Sequence, residues 1–541
     1  METIIFDPKT GSRSYIFRTG LLILLLTGFL SAFANPREAD RPNVVFILGD
    51  DMRLDHFGFI RGKVLTPHLD RLAAEGFHFS HTYMPSAACT PSRFSCLTGR
   101  FASRCNSPSF KNSHTPEGVY GVSWNTNLHY EPDYLPNRMK EAGYVTGIVG
   151  KWHNGSSEAF QNWKKELRKN DDPSDPSVAA KIAQMDQAAS EYLHGMGFDF
   201  AEGIVMGNYS DHPVEAMRYH NQEVLTRHAV EFIRQNSNRP FFLYLPTTLM
   251  HGPSPWQSLN ADPRKCFAGL MDQPVDIQPS RSDVIARARA AGIPDYLIPA
   301  TWLDDGFGVI LDTLRSLGID SSTMVIFVND HGIDGGKGSC YEGGVRVSST
   351  VYWPGRIEPG SSNALVANLD LYPTICEACG IGFDSSRHDG QSLWPLIRRE
   401  KEALRDHIYC EWGFSRAIVT RDWKYLAFRL PPSKDLSYKQ KVGKACRQAE
   451  QNELNGTDIP IIMPSVPIAH SGVHGGYGTE QNQAMVHYPH YYDTDQLYYL
   501  PEDPGEQENL AYLAGYHDIL ENMKLLLSRW VEELPGGFGE F

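Results

Sequence analysis

Along this chain, short uninterrupted apolar runs alternate with longer segments whose apolar residues recur every three to four positions. "NVVFILGDD" predicts a strand over 43–48 that stops on Asp50 and Asp51, and "YVTGIVGKWH" predicts one that stops on Lys151 and His153. "FFLYLPTTLMHGP" runs out at His251, and "TMVIFVNDHG" ends on Asp330 and His331. Between them, "HLDRLAAEGF", "LPNRMKEAG" and "LDDGFGVILDTLRSLG" carry helical periodicity. Buried strands interleaved with helices predict an α/β protein with a mainly parallel sheet. In such sheets ligands bind in the crevice beyond the carboxyl ends of the strands. Each polar cluster falls at such an end, so segments remote in sequence are expected to converge on one site. Further on, "WKYLAFR" reads as a strand and "YHDILENMKLLLSRWVEEL" as a terminal helix.

The stretch "CTPSRFSCLTGR", Cys89 to Arg100, reads as the start of a helix, with Thr90 as cap, Pro91 at the first helical position and Gly99 closing the last turn. Cys89 would then sit where free N–H groups and the macrodipole favour negative charge, with Arg93 one turn further on. These residues alone leave open a nucleophile, a metal ligand or a small buried side chain. A single acid after a strand is ordinarily a cap, and a single histidine ordinarily a structural group. Two adjacent acids at one strand end, an acid with a histidine at another and Lys-x-His at a third together support a metal-assisted site for an anionic ligand.

At 541 residues the chain has room for one large domain and a smaller one, and 41% hydrophobic with 21% charged residues describes an ordinary globular protein. The first 34 residues read as a targeting segment: Lys9, Arg13 and Arg18, then "LLILLLTGFL", then Ala32-Phe33-Ala34. The apolar run is short for a membrane span, which needs about 20 residues. The expectation is export, with no membrane attachment after signal cleavage. Loss of residues 1–34 removes three basic and two acidic residues and moves the formal charge from −14 to −15. So acidic a surface excludes general binding of nucleic acid, and an anionic substrate requires a local cluster of Arg and Lys. Nine cysteines in an exported chain suggest some disulfides and at least one cysteine of another fate. The CxxC pair Cys376 and Cys379 lies in a helix-like segment and reads as structural. Asn154, Asn208 and Asn455 stand in N-x-[ST] triplets; a glycan on Asn154 would obstruct His153, which favours a bacterial periplasmic or secreted protein over a lysosomal one.

"CTPSRFSCLTGR" resembles the type I sulfatase motif, Cys-x-Pro-Ser-Arg followed by Thr-Gly-Arg. "PNVVFILGDDMR", "GKWH", "FVNDHG", "GKGSCYEGGVRV" and "DQLYYLPEDPGEQENLA" also look like sulfatase segments, in order, from residue 42 to about 511. The resemblance implies an alkaline-phosphatase-like α/β/α sandwich over 41–398 and a smaller C-terminal α+β domain with a short antiparallel sheet over 399–541. It implies that a formylglycine-generating enzyme oxidises Cys89 to 3-oxoalanine (formylglycine). Once hydrated, one hydroxyl of that aldehyde attacks sulfur and expels the alcohol; deprotonation of the other ejects sulfate and regenerates the aldehyde. Asp50, Asp51, Asp330 and His331 would hold a divalent metal that also contacts residue 89. Calcium is implied, with magnesium or manganese as alternatives because His331 stands where the family has Asn or His. Arg93, Lys151 and Lys337 would neutralise the sulfate, His153 would act as base for sulfate release, and His251 would protonate the leaving oxygen.

The implied substrate is a sulfated saccharide. Residues 155–235 and 430–494 match the shared segments least and are expected to shape the pocket. The second stretch is rich in aromatic and imidazole groups (His470, His474, His487, Tyr488, His490, Tyr491, Tyr492), suited either to sugar stacking or to an ordered insertion. Its "HYPHYYDTDQLYYL" run resembles bacterial sulfatases acting on algal galactans such as carrageenan. Two other readings stay open: a phosphonate or phosphodiester hydrolase of the same superfamily, and a sulfated-glycan-binding homologue in which Cys89 is never converted.

Overall fold

The computed structural model describes residues 41–429, 484, 487–491 and 493–539. The targeting segment read at 1–34 lies outside the described residues, as do Cys446, Asn455, His470, His474 and Tyr492.

The predicted strands form. β1 (Asn43–Gly49), β2 (Phe77–Tyr83), β3 (Val145–Lys151), β4 (Phe200–Val205), β5 (Phe241–Pro246), β8 (Thr323–Asn329), β9 (Arg346–Tyr352) and β10 (Gly360–Ser362) lie in the order β10-β2-β9-β8-β1-β5-β3-β4, with β11 (Val366–Ala367) also on β2. β6 (Lys265–Cys266) and β7 (Gly269–Leu270) make a separate small ribbon. β1 is parallel to both neighbours, with Val45 opposite Leu243 of β5 and Val325 of β8. β3 is parallel to β5 and β4, whereas β9 runs antiparallel to β8 and β2.

All seven residues of β1 are buried, as expected of a strand covered on both faces. Its side chains alternate between two cores: Val44, Phe46 and Leu48 join one, Val45 and Ile47 the other. Helices Cys89–Thr98, Leu135–Glu141, Pro176–Gly195 and Leu371–Ala378 serve the first core. Helices Pro67–Glu75, Gln222–Asn236, Arg281–Ala290 and Ile298–Ser316 serve the second. The result is a three-layer α/β/α sandwich.

A second sheet is wholly antiparallel: β12 (Ile408–Trp412), β13 (Ser415–Val419), β14 (Trp423–Phe428) and β15 (Asp495–Tyr499). Leu520, Met523 and Leu527 of the helix His517–Glu533 fall in its core, at the three-to-four-residue spacing of one helical face. Tyr488 and Tyr491 are buried there too; Tyr488 stacks on Tyr341 with ring centroids 3.7 Å apart. Their rings are committed to packing, which decides the open reading of these two against sugar stacking.

The expected disulfides do not form among the described residues: Cys89, Cys96, Cys105, Cys266, Cys340, Cys376, Cys379 and Cys410 are all buried thiols. Cys96, Cys105, Cys376 and Cys379 fill volume in the first core and Cys340 and Cys410 in the core of the second sheet, as small apolar groups.

Candidate active site

The carboxyl ends of the central strands bring the polar clusters together. Asp50 and Asp51 follow β1 directly, Asp330 follows β8, and Lys151 is the last residue of β3. The strand ends are tied to each other. Asp330 N donates to Gly49 O (2.9 Å), and Asp51 N donates to the Asp330 carboxylate (3.3 Å). Asn329, which no sequence signal singled out, accepts from Met52 N (3.2 Å) and donates to Met52 O (2.9 Å). Asp51 and His153 adopt φ of 53° and 59°, a left-handed conformation that costs a side-chain-bearing residue energy and recurs at functional sites.

Cys89 opens the helix Cys89–Thr98, so the helix begins earlier than its capping pattern predicts. Ala88 is the N-cap with no side-chain cap bond, Thr90 lies inside the first turn, and its buried hydroxyl has no hydrogen-bond partner. Thr90 therefore does not cap, and Pro91 is the third helical residue rather than the first. Gly99 closes the helix in the left-handed conformation as expected.

Around the Cys89 sulfur lie His331 Nε2 (3.4 Å), Lys151 Nζ (3.6 Å) and Asp50 Oδ1 (3.7 Å). Burial alone raises a thiol's pKa, but Lys151, Lys337, His331 and His153 outweigh it and hold Cys89 well below the ordinary thiol range. Cys96, two turns along the same helix and packed on Asn368, is pushed up to about 12 by burial. Of the two, only Cys89 is under the influence of the lysines.

Those cations are paired with the acids. Lys151 Nζ donates to Asp50 (2.8 Å), and Lys337 Nζ to both oxygens of Asp51 (2.7 and 2.6 Å). Arg93 donates to Asp330 (3.2 Å) and to the Lys151 carbonyl (2.9 Å), with Asp50 at 3.5 Å. Burial opposes ionisation of Asp50 and Asp51, yet Lys151 and Lys337 respectively bring both below the usual carboxylate range. Asp330 goes the other way: burial dominates, and His331 and Arg93 offset it only in part. His331 in turn is lifted to about 9, Asp330 and Cys89 overcoming its own desolvation. His153 is lowered by burial and by Lys151.

His251 lies beyond β5 on a turn whose shape depends on a second residue that sequence reading passed over. His220, fully buried, bridges Thr248 Oγ1 (3.0 Å) and the His251 carbonyl (2.8 Å). His251 Nδ1 donates to the Gly252 carbonyl (2.7 Å), leaving Nε2 3.5 Å from Asp51. All ten predicted site residues thus meet. Asn154 does not stand free as a glycan acceptor: it is fully buried, and its amide donates to the carbonyls of Thr90 (2.8 Å) and Thr126 (3.3 Å).

Three sets of side chains offer metal-ligand atoms within 4.8 Å of one another: Asp50–Asp51–Asp330, Cys89–Asp330–His331 and Asp51–Cys89–His251. Three carboxylates suit a hard divalent cation. His331 Nδ1 donates to the Gly332 carbonyl (3.0 Å), which turns Nε2 toward Asp51 and Asp330, where loss of its proton would make it a ligand atom. The arrangement sets one buried thiol among cations and carboxylates that are themselves paired.

A model of the Sulfatase family matches residues 42–381. N-acetylgalactosamine-6-O-sulfatase of Bacteroides thetaiotaomicron is 25% identical over 494 residues, covering 78% of this chain and 89% of that protein. N-acetylgalactosamine-6-sulfatase of Mus musculus is 28% identical over 432 residues, covering 75% and 74%. The solved structure of Ps i-CgsB in complex with k-i-k-neocarrahexaose superposes with a TM-score of 0.56 at 20% identity, covering 92% of this chain and 95% of that one. The phosphonate monoester hydrolase of Agrobacterium radiobacter gives 0.56 at 18% identity, covering 91% and 96%. The two structural likenesses speak for the fold alone.

Proposed function

This chain belongs to the sulfatase family and is a sulfuric ester hydrolase, and from that premise we propose that it removes sulfate from a sulfated carbohydrate, using residue 89 as nucleophile after conversion of the cysteine to formylglycine. The observation that carries the reading is the ring of cations around one buried cysteine: Lys151 beside Cys89, with Lys337 and His331 acting on the same thiol. A sulfuryl group placed there meets the local cluster of positive charge that an anionic substrate of so acidic a chain requires. The saccharide follows the named substrates of the Bacteroides and mouse relatives.

Formylglycine supplies two hydroxyls on one carbon when hydrated, so that sulfate can leave without a second attack at sulfur. Asp50, Asp51, Asp330 and His331 would hold a divalent metal, calcium by the count of carboxylates, and when bound it would supply Lewis acidity toward the sulfuryl group. The protein's own residues do the rest. Arg93, Lys151 and Lys337 neutralise the sulfate oxygens. His153 takes the proton whose loss releases sulfate. His251, with Nδ1 tied to Gly252, presents Nε2 to the leaving oxygen and protonates it. The protein acts outside the cytoplasm after loss of residues 1–34, having met a formylglycine-generating enzyme on the way.

The test is a screen of defined sulfated saccharides, with nitrophenyl sulfate and a nitrophenyl phosphodiester alongside, and sulfate release as readout. The expected result is sulfate release from a saccharide and an aldehyde, reactive to hydrazide, at position 89 by mass spectrometry. Full activity with an intact Cys89 thiol overturns the nucleophile. Faster turnover of the phosphodiester than of every sulfate ester overturns the substrate class.

A further inference from the structure

Between them, the segments "GKGSCYEGGVRV" and "DQLYYLPEDPGEQENLA" supply Lys337 and nothing else to the reaction above. In the fold they meet each other. Lys337 lies on a loop that runs into the single helical turn Glu342–Val345. Glu342 N donates to Glu506 Oε2 at 2.6 Å, across 164 residues of sequence.

The loop is short and closely tied. Gly338 N donates to Ala87 O (2.8 Å), just ahead of Cys89, and Ser339 Oγ donates to Gly336 O (2.5 Å). The second sheet holds its far end. The Tyr341 hydroxyl donates to Gln496 Oε1 of β15 (2.7 Å). Lys424 of β14 donates to Glu342 Oε1 (3.2 Å) and is paired with Glu506 Oε1 at 3.0 Å. The Tyr83 hydroxyl donates to Glu342 Oε2 (3.2 Å).

Glu506 is presented by a turn that is itself fixed. Its N–H donates to Asp503 O (3.1 Å), and the Asp503 carboxylate accepts from Gln507 N (2.8 Å) and Glu508 N (2.9 Å). Its φ is 55°, a left-handed conformation that persists in a side-chain-bearing residue only where its surroundings over-determine it. Glu506 and Lys424 are fully buried and Glu342 nearly so. Burial, with Glu342, pushes the Glu506 carboxyl up to about 7 against the pull of Lys424. Such a buried ionic cluster adds little net stability over apolar side chains of similar volume. Apolar packing is already at hand beside it, in Leu497 and Tyr498. What the cluster adds is direction, because it fixes where one backbone N–H of the loop must sit.

We propose that Glu506, assisted by Lys424, is a positioning residue for Lys337: the second sheet and its following turn set the 336–342 loop so that the Lys337 ammonium meets Asp51 and the sulfuryl group. The proposal rests on the sulfatase reading above and deepens it. Lys337 Nζ reaches both Asp51 oxygens, at 2.7 and 2.6 Å. A displacement of about 1 Å at the loop would break that two-point contact, and misplacement on that scale costs up to about 100-fold in rate.

The experiment measures kcat and KM on nitrophenyl sulfate, and the inhibition constant of inorganic sulfate, for the wild type, Glu506→Ala, Glu506→Gln and Leu520→Ala. Each is assayed per folded molecule, below its unfolding temperature. Leu520, in the core of the second sheet, controls for lost packing alone. Glu506→Ala removes both ties and should cut kcat/KM about tenfold or more, with sulfate inhibition weakened about as much. Glu506→Gln keeps an acceptor for Glu342 N and loses the ion pair, so it should fall between Glu506→Ala and the wild type. Leu520→Ala should keep both constants within about twofold of the wild type. Wild-type constants in Glu506→Ala overturn the proposal, as does an equal loss in Leu520→Ala. Should Glu506→Ala fail to fold, Glu506→Gln decides by the same two constants, and unchanged values overturn the proposal. A wild type that hydrolyses no sulfate ester at all overturns the underlying sulfatase reading instead.

Discussion

At the scale of single residues, the site is a set of charges that burial would neutralise if they stood alone. Lys151 and Asp50 are both about 1% exposed in their side chains and 2.8 Å apart. Removing one partner of such a pair costs about 3–5 kcal/mol, because the other charge is left buried and unpaired. Substitutions at Lys151 or Asp50 therefore confuse stability with chemistry. His251 is the cleaner test, since its imidazole is held by the Gly252 carbonyl and meets Asp51 only at 3.5 Å, a looser contact than the Lys151–Asp50 pair. Protonating the departing oxygen matters most for a poor leaving group such as a sugar alkoxide, and general acids contribute about 10²–10⁴-fold. His251→Ala should lose activity in that range on a sulfated sugar and far less on nitrophenyl sulfate, compared by kcat/KM. Equal losses on both substrates would assign His251 a positioning role.

At the scale of elements, the strands place these residues by close backbone contact. Gly150 has φ of +111°, and a Cβ on it would lie 2.0 Å from the Pro246 carbonyl oxygen of β5. Only glycine lets β3 pass β5 at that point and deliver Lys151 to Asp50. Gly150→Ala combines an unfavourable φ with a clash against backbone, and should destabilise by about 2 kcal/mol or more in urea unfolding. Gly195→Ala, at the last position of the helix Pro176–Gly195 with open space where the added methyl would point, should be neutral or slightly stabilising. Equal stabilities for the two variants would refute the close-approach argument. Strand existence and strand ends were legible in the sequence because fully buried strands read as unbroken apolar runs. The helix start is not legible in the same way, since Thr90 and Pro91 satisfy the capping pattern locally while the backbone begins helical hydrogen bonding at the Ala88 carbonyl.

At the scale of the whole molecule, the carboxylate cluster joins segments far apart in the chain; Asp51 and Asp330, hydrogen-bonded to each other, are 279 residues apart in sequence. A cation bound to the native arrangement and not to the unfolded chain stabilises the whole fold, by about 2.7 kcal/mol at a hundred times its Kd. Exhaustive chelation should abolish activity and lower Tm, with calcium restoring both. Asp51→Asn should blunt the calcium-dependent rise in Tm. Unchanged Tm and activity after chelation, with no metal found by elemental analysis, would exclude a metal from the site.

The sequence by itself determined the elements and the order of the chemistry-bearing segments, because strand patterning is a local property; the full set of ten residues that meet, Lys337 among them, came from the resemblance that its motifs carry. Tertiary structure alone decided the rest. The Cys-Thr-Pro-Ser-Arg context already singled out Cys89 over Cys96; what the tertiary structure added is the placing of Lys151 and Lys337 to hold its thiol low while burial pushes Cys96 up. Among the described residues the expected disulfides gave way to eight buried thiols, because the fold set each cysteine in its own packed surroundings instead of bonding it to another. Asn154, a glycan triplet by pattern, became a buried strut, and Tyr488 and Tyr491 became core, because burial is fixed by what packs against a residue. The same holds for the ionisation of Asp50 and Asp330: two acids at equivalent strand ends are driven in opposite directions by the charges that the fold sets beside them.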